Sequence, residues 1–201
     1  MKKLTFGLMG FAALSLAVAT LFTSCKKDEV KELASISATI NGESFSATAV
    51  AKQDNNNAKL ADLLAGNGDK ITSIYGANTN GQVLSIVLNG NTEATYDLSL
   101  AVSLNPTTLL INYLTTGDIE DTAKDAIKAE AKTMMVYKKS EGIQDANSKD
   151  FYVATKANVV VNKITSVGTI KYYKGTFTAT LENANGEKLE VTDGKFSCPG
   201  K

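Results

Sequence analysis

The chain has 201 residues, and its 21 basic and 21 acidic side chains balance to a formal net charge of zero. It contains no histidine, no tryptophan and no arginine, so every cationic side chain is a lysine. These absences remove Ser-His-Asp and Cys-His nucleophiles, the commonest zinc and haem ligand, and the guanidinium fork that reads phosphates and base edges, so no cofactor and no nucleic-acid partner is expected.

Met1-Lys2-Lys3 gives a short positive start, residues 4–22 form an almost uncharged apolar stretch, and Leu21-Phe22-Thr23-Ser24-Cys25 places small residues directly before a cysteine. That order matches the three regions of a secretory signal. The cysteine and the residues before it resemble a lipobox, with Leu21 supplying the aliphatic character that Phe22 lacks. The resemblance implies cleavage before Cys25 and a diacylglyceryl thioether on its sulfur. A single acyl chain, at ~0.8 kcal/mol per buried CH₂, anchors only marginally, whereas two or more hold stably. Residues 1–24 are therefore read as a signal peptide, Cys25 as the lipidation site and 25–33 as a charged tether. Lys26 rather than aspartate follows the cysteine, and Lys26-Lys27-Asp28-Glu29 is similar to the export signal of Bacteroidota lipoproteins. The expected location is the outer membrane, on its periplasmic face or at the cell surface.

From Ala34 onward the signal is strand and turn, and 34–198 is read as a single domain. Five Asn-Gly pairs, at 41–42, 67–68, 80–81, 89–90 and 185–186, are strong hairpin signals because both residues tolerate φ > 0. A weak helical turn is expected at 58–65. The run 83–88 is apolar on both faces, as a central strand would be. In 93–100, Ala94, Tyr96, Leu98 and Leu100 share one face while Glu93, Thr95, Asp97 and Ser99 share the other. Leu109, Ile111 and Tyr113 suggest a further strand. Residues 118–133 break the β pattern, with Ile119, Ala123, Ala126, Ile127 and Ala131 near helical spacing and Asp118 as a possible cap. Val159 to Val161 reads as another central strand. Tyr173, Phe177, Ala179 and Leu181 then alternate with Lys174, Thr176, Thr178 and Thr180. The expectation is a mainly β fold: an antiparallel β-sandwich or flattened barrel with one short helix.

Reactive constellations are scarce. Asp118, Glu120, Asp121, Asp125 and Glu130 lack the glycine and glutamate of an EF-type loop, since Ala123 and Ala129 stand there, and Asp145, Asn147 and Asp150 fail likewise because Lys149 occupies a ligand position. Neither group is read as a metal site. Gly66-Asn67-Gly68 is too short for a phosphate loop, and no Ser-x-x-Lys or Gly-x-Ser-x-Gly template follows the leader. Cys198 has no partner once Cys25 carries lipid, and its place near the end reads as a spectator on a frayed terminus. The chain is expected to lack catalytic residues and enzymatic activity.

The domain opens with Ala38-Thr39-Ile40-Asn41-Gly42-Glu43-Ser44-Phe45 and closes with Gly175-Thr176-Phe177, Asn185-Gly186 and Thr192-Asp193-Gly194-Lys195-Phe196. These segments resemble a Bacteroidota lipoprotein family of unknown function. The resemblance implies that Phe45, Phe177 and Phe196 plug the core and that Gly194 forms a bulge or a φ > 0 turn; it carries no ligand residues. The expected role is a membrane-anchored binding or interaction module for a glycan, peptide or protein, favoured by solvent-facing tyrosines such as Tyr172. A structural envelope role without a small ligand is the alternative, and a glycan hydrolase is the least favoured reading.

Overall fold

The structure is a computed structural model, and it describes residues 34–52, 64, 71–99, 106–116, 120–143 and 145–200. The leader, Cys25 and the tether lie outside the described residues. The strands are β1 (Ser35–Ile40), β2 (Glu43–Lys52), β3 (Ile71–Ala77), β4 (Val83–Asn89), β5 (Thr95–Ser99), β6 (Thr133–Lys138), β7 (Phe151–Val167), β8 (Ile170–Asn183) and β9 (Lys188–Gly200). Helices α1 (Pro106–Thr116) and α2 (Asp121–Glu130) fall between β5 and β6.

Eight of the strands close a barrel in the order β7-β6-β4-β3-β2-β1-β9-β8, with β8 returning to β7. Neighbouring strands are antiparallel, so the barrel is the form taken by the alternation seen in the sequence. β5 stands outside the closure. It pairs with β7 from Thr95 opposite Val160 to Ser99 opposite Lys156, while β6 uses the same edge of β7 at Phe151 to Val153. The 17-residue β7 thus carries two strands on one edge and β8 on the other.

Local chemistry explains the turns. In the β1–β2 hairpin Asn41 and Gly42 hold φ values of 50° and 86°, the paired positive angles that match the twist of the flanking strands. Asn80-Gly81 and Asn185-Gly186 turn β3 into β4 and β8 into β9, whereas the β7–β8 hairpin uses Gly168-Thr169. The pair at 67–68 lies outside the described residues.

An eight-stranded barrel is just wide enough for side chains to fill it. Phe45, Tyr137 and Tyr152 meet at the end near the β1–β2 turn, with ring centroids 6.3 Å and 6.1 Å apart. Phe177 and Phe196 stack at 6.4 Å. The register sets Phe196 opposite Gly175 and Phe177 opposite Gly194, so each ring lies over a neighbouring glycine. Both phenylalanines, and Phe45, are buried as expected. Gly194 sits beside the register shift between β8 and β9, but the positive φ of 53° falls on Asp193. β4 and β6 are buried on both faces, which accounts for the unbroken apolar run at 83–88.

Two expectations about helices are corrected. Leu109, Ile111 and Tyr113 lie in α1, not in a strand. Its buried positions Thr107, Leu110, Ile111 and Tyr113, with the partly buried Leu114, follow a three-four spacing, and Pro106 occupies the first helical position, where its missing N–H costs nothing. The 118–133 segment forms a shorter helix, α2, which is entered at Glu120 and stops before Ala131; Thr133 already belongs to β6. Asp118 and Ile119 lie outside the described residues, and so does the segment at 58–65 except for Leu64, which is helical and buried.

A Cβ added to Gly175 would run into the Val160 carbonyl and the Phe196 ring. Gly175→Ala is expected to destabilise the domain by about 1–3 kcal/mol, read as a lowered urea midpoint at unchanged m-value.

Candidate functional site

The outward side chains of β5, β7, β8 and β9 form ordered cross-strand rows. Ser99, Lys156, Thr180 and Glu190 make one row, because Ser99 pairs with Lys156, Lys156 with Thr180 and Thr180 with Glu190. Asp97, Asn158 and Thr178 make the next. Register shifts at 154/156 in β7 and at 177/179 in β8 bend the sheet here. The result is an open groove of about 330 Å³ whose lining includes Ser99, Lys156, Asn158, Thr178, Thr180, Glu190 and Thr192.

Hydrogen bonds fix the flanks of this groove. The Thr180 hydroxyl donates to Glu190 Oε2 at 3.1 Å, and Asn158 Nδ2 donates to Asp97 Oδ1 at 2.5 Å. Among the described residues Lys156 forms no ion pair, so its ammonium stands between a hydroxyl row and an amide with its donors open. Chemically the surface offers hydroxyl, amide, ammonium and one carboxylate beside the apolar Leu98, Ala157, Ala179 and Val191. It suits a ligand held by many hydrogen bonds.

The residues singled out in the sequence are scattered. Asp145 Oδ1 accepts from the Asn147 amide at 2.9 Å, a local turn, and Asp150 lies 3.8 Å from Lys139 Nζ. Among the described residues no group of three or more Cys, Asp or Glu could hold a metal ion. Cys198 is not on a frayed terminus. It is fully buried in β9 opposite Tyr173, and burial pushes its thiol up to about 12. Tyr172 does not face solvent but is buried, and the exposed tyrosine is Tyr75, whose hydroxyl donates to Glu141 Oε1 at 3.3 Å.

The groove residues Lys156, Asn158 and Glu190 carried no motif. The alternation at 174–180 did place Thr178 and Thr180 on a polar face, but only the register brings that face beside Lys156. Comparison with protein-family models, with characterised proteins and with solved structures finds no match.

Burial of Cys198 has two measurable consequences. Thiol reagents are expected to label it only after denaturation. The folded thiol stays protonated up to about 12 while the unfolded one ionises near 9, so its contribution to stability is full below pH 9 and is lost as pH rises from there. The slope in that window should approach ~1.4 kcal/mol per pH unit, and Cys198→Ala should flatten it in urea titrations.

Proposed function

We propose that this chain is an envelope lipoprotein, held to the outer membrane by lipid on Cys25, whose barrel binds a glycan in the groove between β5 and β9. The observation that carries the reading is the groove itself, where Ser99, Lys156, Asn158, Thr178 and Thr180 stand in cross-strand rows on one sheet face. A sugar's ring of hydroxyls is matched by many such donors. A lysine beside Asn158 and two threonines adds direction to the array. The anchoring part rests on the leader and on the small residues before Cys25, in keeping with the resemblance of the terminal strands to Bacteroidota lipoproteins.

Both parts are testable. Mass spectrometry of the membrane fraction should find acyl mass on an amino-terminal Cys25, and Cys25→Ala should release the protein; an intact leader on the membrane-bound chain would overturn the anchoring. On a glycan array the protein should retain specific oligosaccharides, and Asn158→Ala with Lys156→Ala should weaken the best of them by about tenfold or more, since each lost hydrogen bond leaves a partner unpaired. Retention unaffected by the pair would remove the groove from the reading.

A further inference from the structure

We propose that the barrel end carrying the β7–β8 hairpin is a membrane-facing surface that takes the phosphate headgroups of anionic lipids. Lys163 and Lys174 stand directly opposite each other across β7 and β8. Such an arrangement brings the two Cβ atoms to roughly 4.5–5.5 Å and is destabilising for like charges. Lys195 lies on the adjoining β9, opposite Thr176, and Lys171 lies nearer the hairpin tip, opposite Ser166. All four side chains are exposed, and among the described residues none forms an ion pair.

Two acids lie near this patch, so four lysines stand against two carboxylates. Glu93 accepts the Ile164 N–H at 2.8 Å, and Asp193 accepts from the Thr192 hydroxyl at 3.3 Å. At the tip itself Ile170 is 41% exposed, one of two large hydrophobic side chains exposed among the described residues. Lys163, Lys174 and Lys195 share the outer wall four to six residues along the strands from Ile170, with Lys171 at the rim, and basic and apolar side chains at one barrel end suit the headgroup layer of an anionic membrane.

The start of the domain lies at the same end of the barrel as this surface. Ser35 pairs with Ser197, and Ser197 with Lys174, so Ala34 emerges two strands from the lysine pair at the same barrel end. Residues 25–33 span at most roughly 30 Å even when fully extended. The inference therefore rests on anchoring at Cys25 for its geometry, while the lysine surface stands on the register alone. The two chains of a diacylglyceryl thioether already hold the protein, so the basic surface acts on the orientation of the barrel and not on its attachment.

The chain has no tryptophan, so a single one reports position. The full lipidated protein carrying Ile170→Trp, reconstituted in vesicles containing phosphatidylglycerol and brominated acyl chains, should show quenched fluorescence. Ala184→Trp, in the turn at the opposite end, should stay unquenched. Combining Ile170→Trp with Lys163→Gln, Lys171→Gln, Lys174→Gln and Lys195→Gln should abolish the quenching, since each lysine near an anionic surface is worth about fivefold in partitioning. An unquenched Trp at 170 in protein that floats with the vesicles would overturn the proposal. Quenching that persists equally in phosphatidylcholine vesicles or in the lysine variant would also overturn it. If no acyl mass is found, the anchoring reading falls separately. The same chain mixed with phosphatidylglycerol vesicles then decides the surface, with lysine-dependent co-sedimentation supporting it and its absence overturning it.

Discussion

The reciprocal packing of Phe177 over Gly194 and Phe196 over Gly175 is the contact on which the barrel most depends. Each ring needs the space that a glycine leaves on the neighbouring strand, and each glycine recovers through the ring the cover it lacks. The pairs lock β8 to β9 in one register. That register decides which outward residues stand beside each other, so the positions of Thr180 against Glu190 and of Lys174 against Ser197 follow from an interior fit. A slip by one residue would send both rings to solvent.

β7 transmits the same order to the other side. Because its 17 residues far outrun the five of β5 and the six of β6, it takes β6 at its start and β5 at its middle, with β8 along its opposite edge. The barrel needs only the first and last of these to close. β5 is then free to widen the outer sheet, and the groove lies across β5, β7, β8 and β9. The interior is packed with side chains, so a large ligand meets this molecule on an outer face.

Much of the architecture was legible in the residues, for physical reasons. Half-buried strands such as β5 and β8 alternate cleanly, and Asn-Gly marks three hairpin turns, with the paired positive φ at Asn41-Gly42, while Asn89-Gly90 turns none. β6 was missed because Thr133-Met134-Met135-Val136-Tyr137 is buried on both faces and follows a helical pattern directly. α1 was misread because Leu109, Ile111 and Tyr113 alternate as well as any strand, and only the wider spacing of Thr107, Leu110, Ile111 and Leu114 shows the helix. Barrel closure was hidden, since the β7–β8 and β1–β9 pairings both look like ordinary alternation. The groove was hidden for the same reason: Lys156 and Glu190 are 34 positions apart, and only two successive pairings through Thr180 bring them into one row.

Pairing of β1 with β9 also sets a timetable. The first strand made can join β2 at once, but its other edge waits for the last strand of the chain. Until β9 arrives, the sheet is an open ribbon with main-chain groups unpaired along β1, a state exposed to faulty association. Closure is therefore a late, long-range event, slow in the way that non-local strand pairing is slow. A polypeptide built on this plan stays an open chain until its last described strand is made, so its final shape arrives in one step at the end of synthesis.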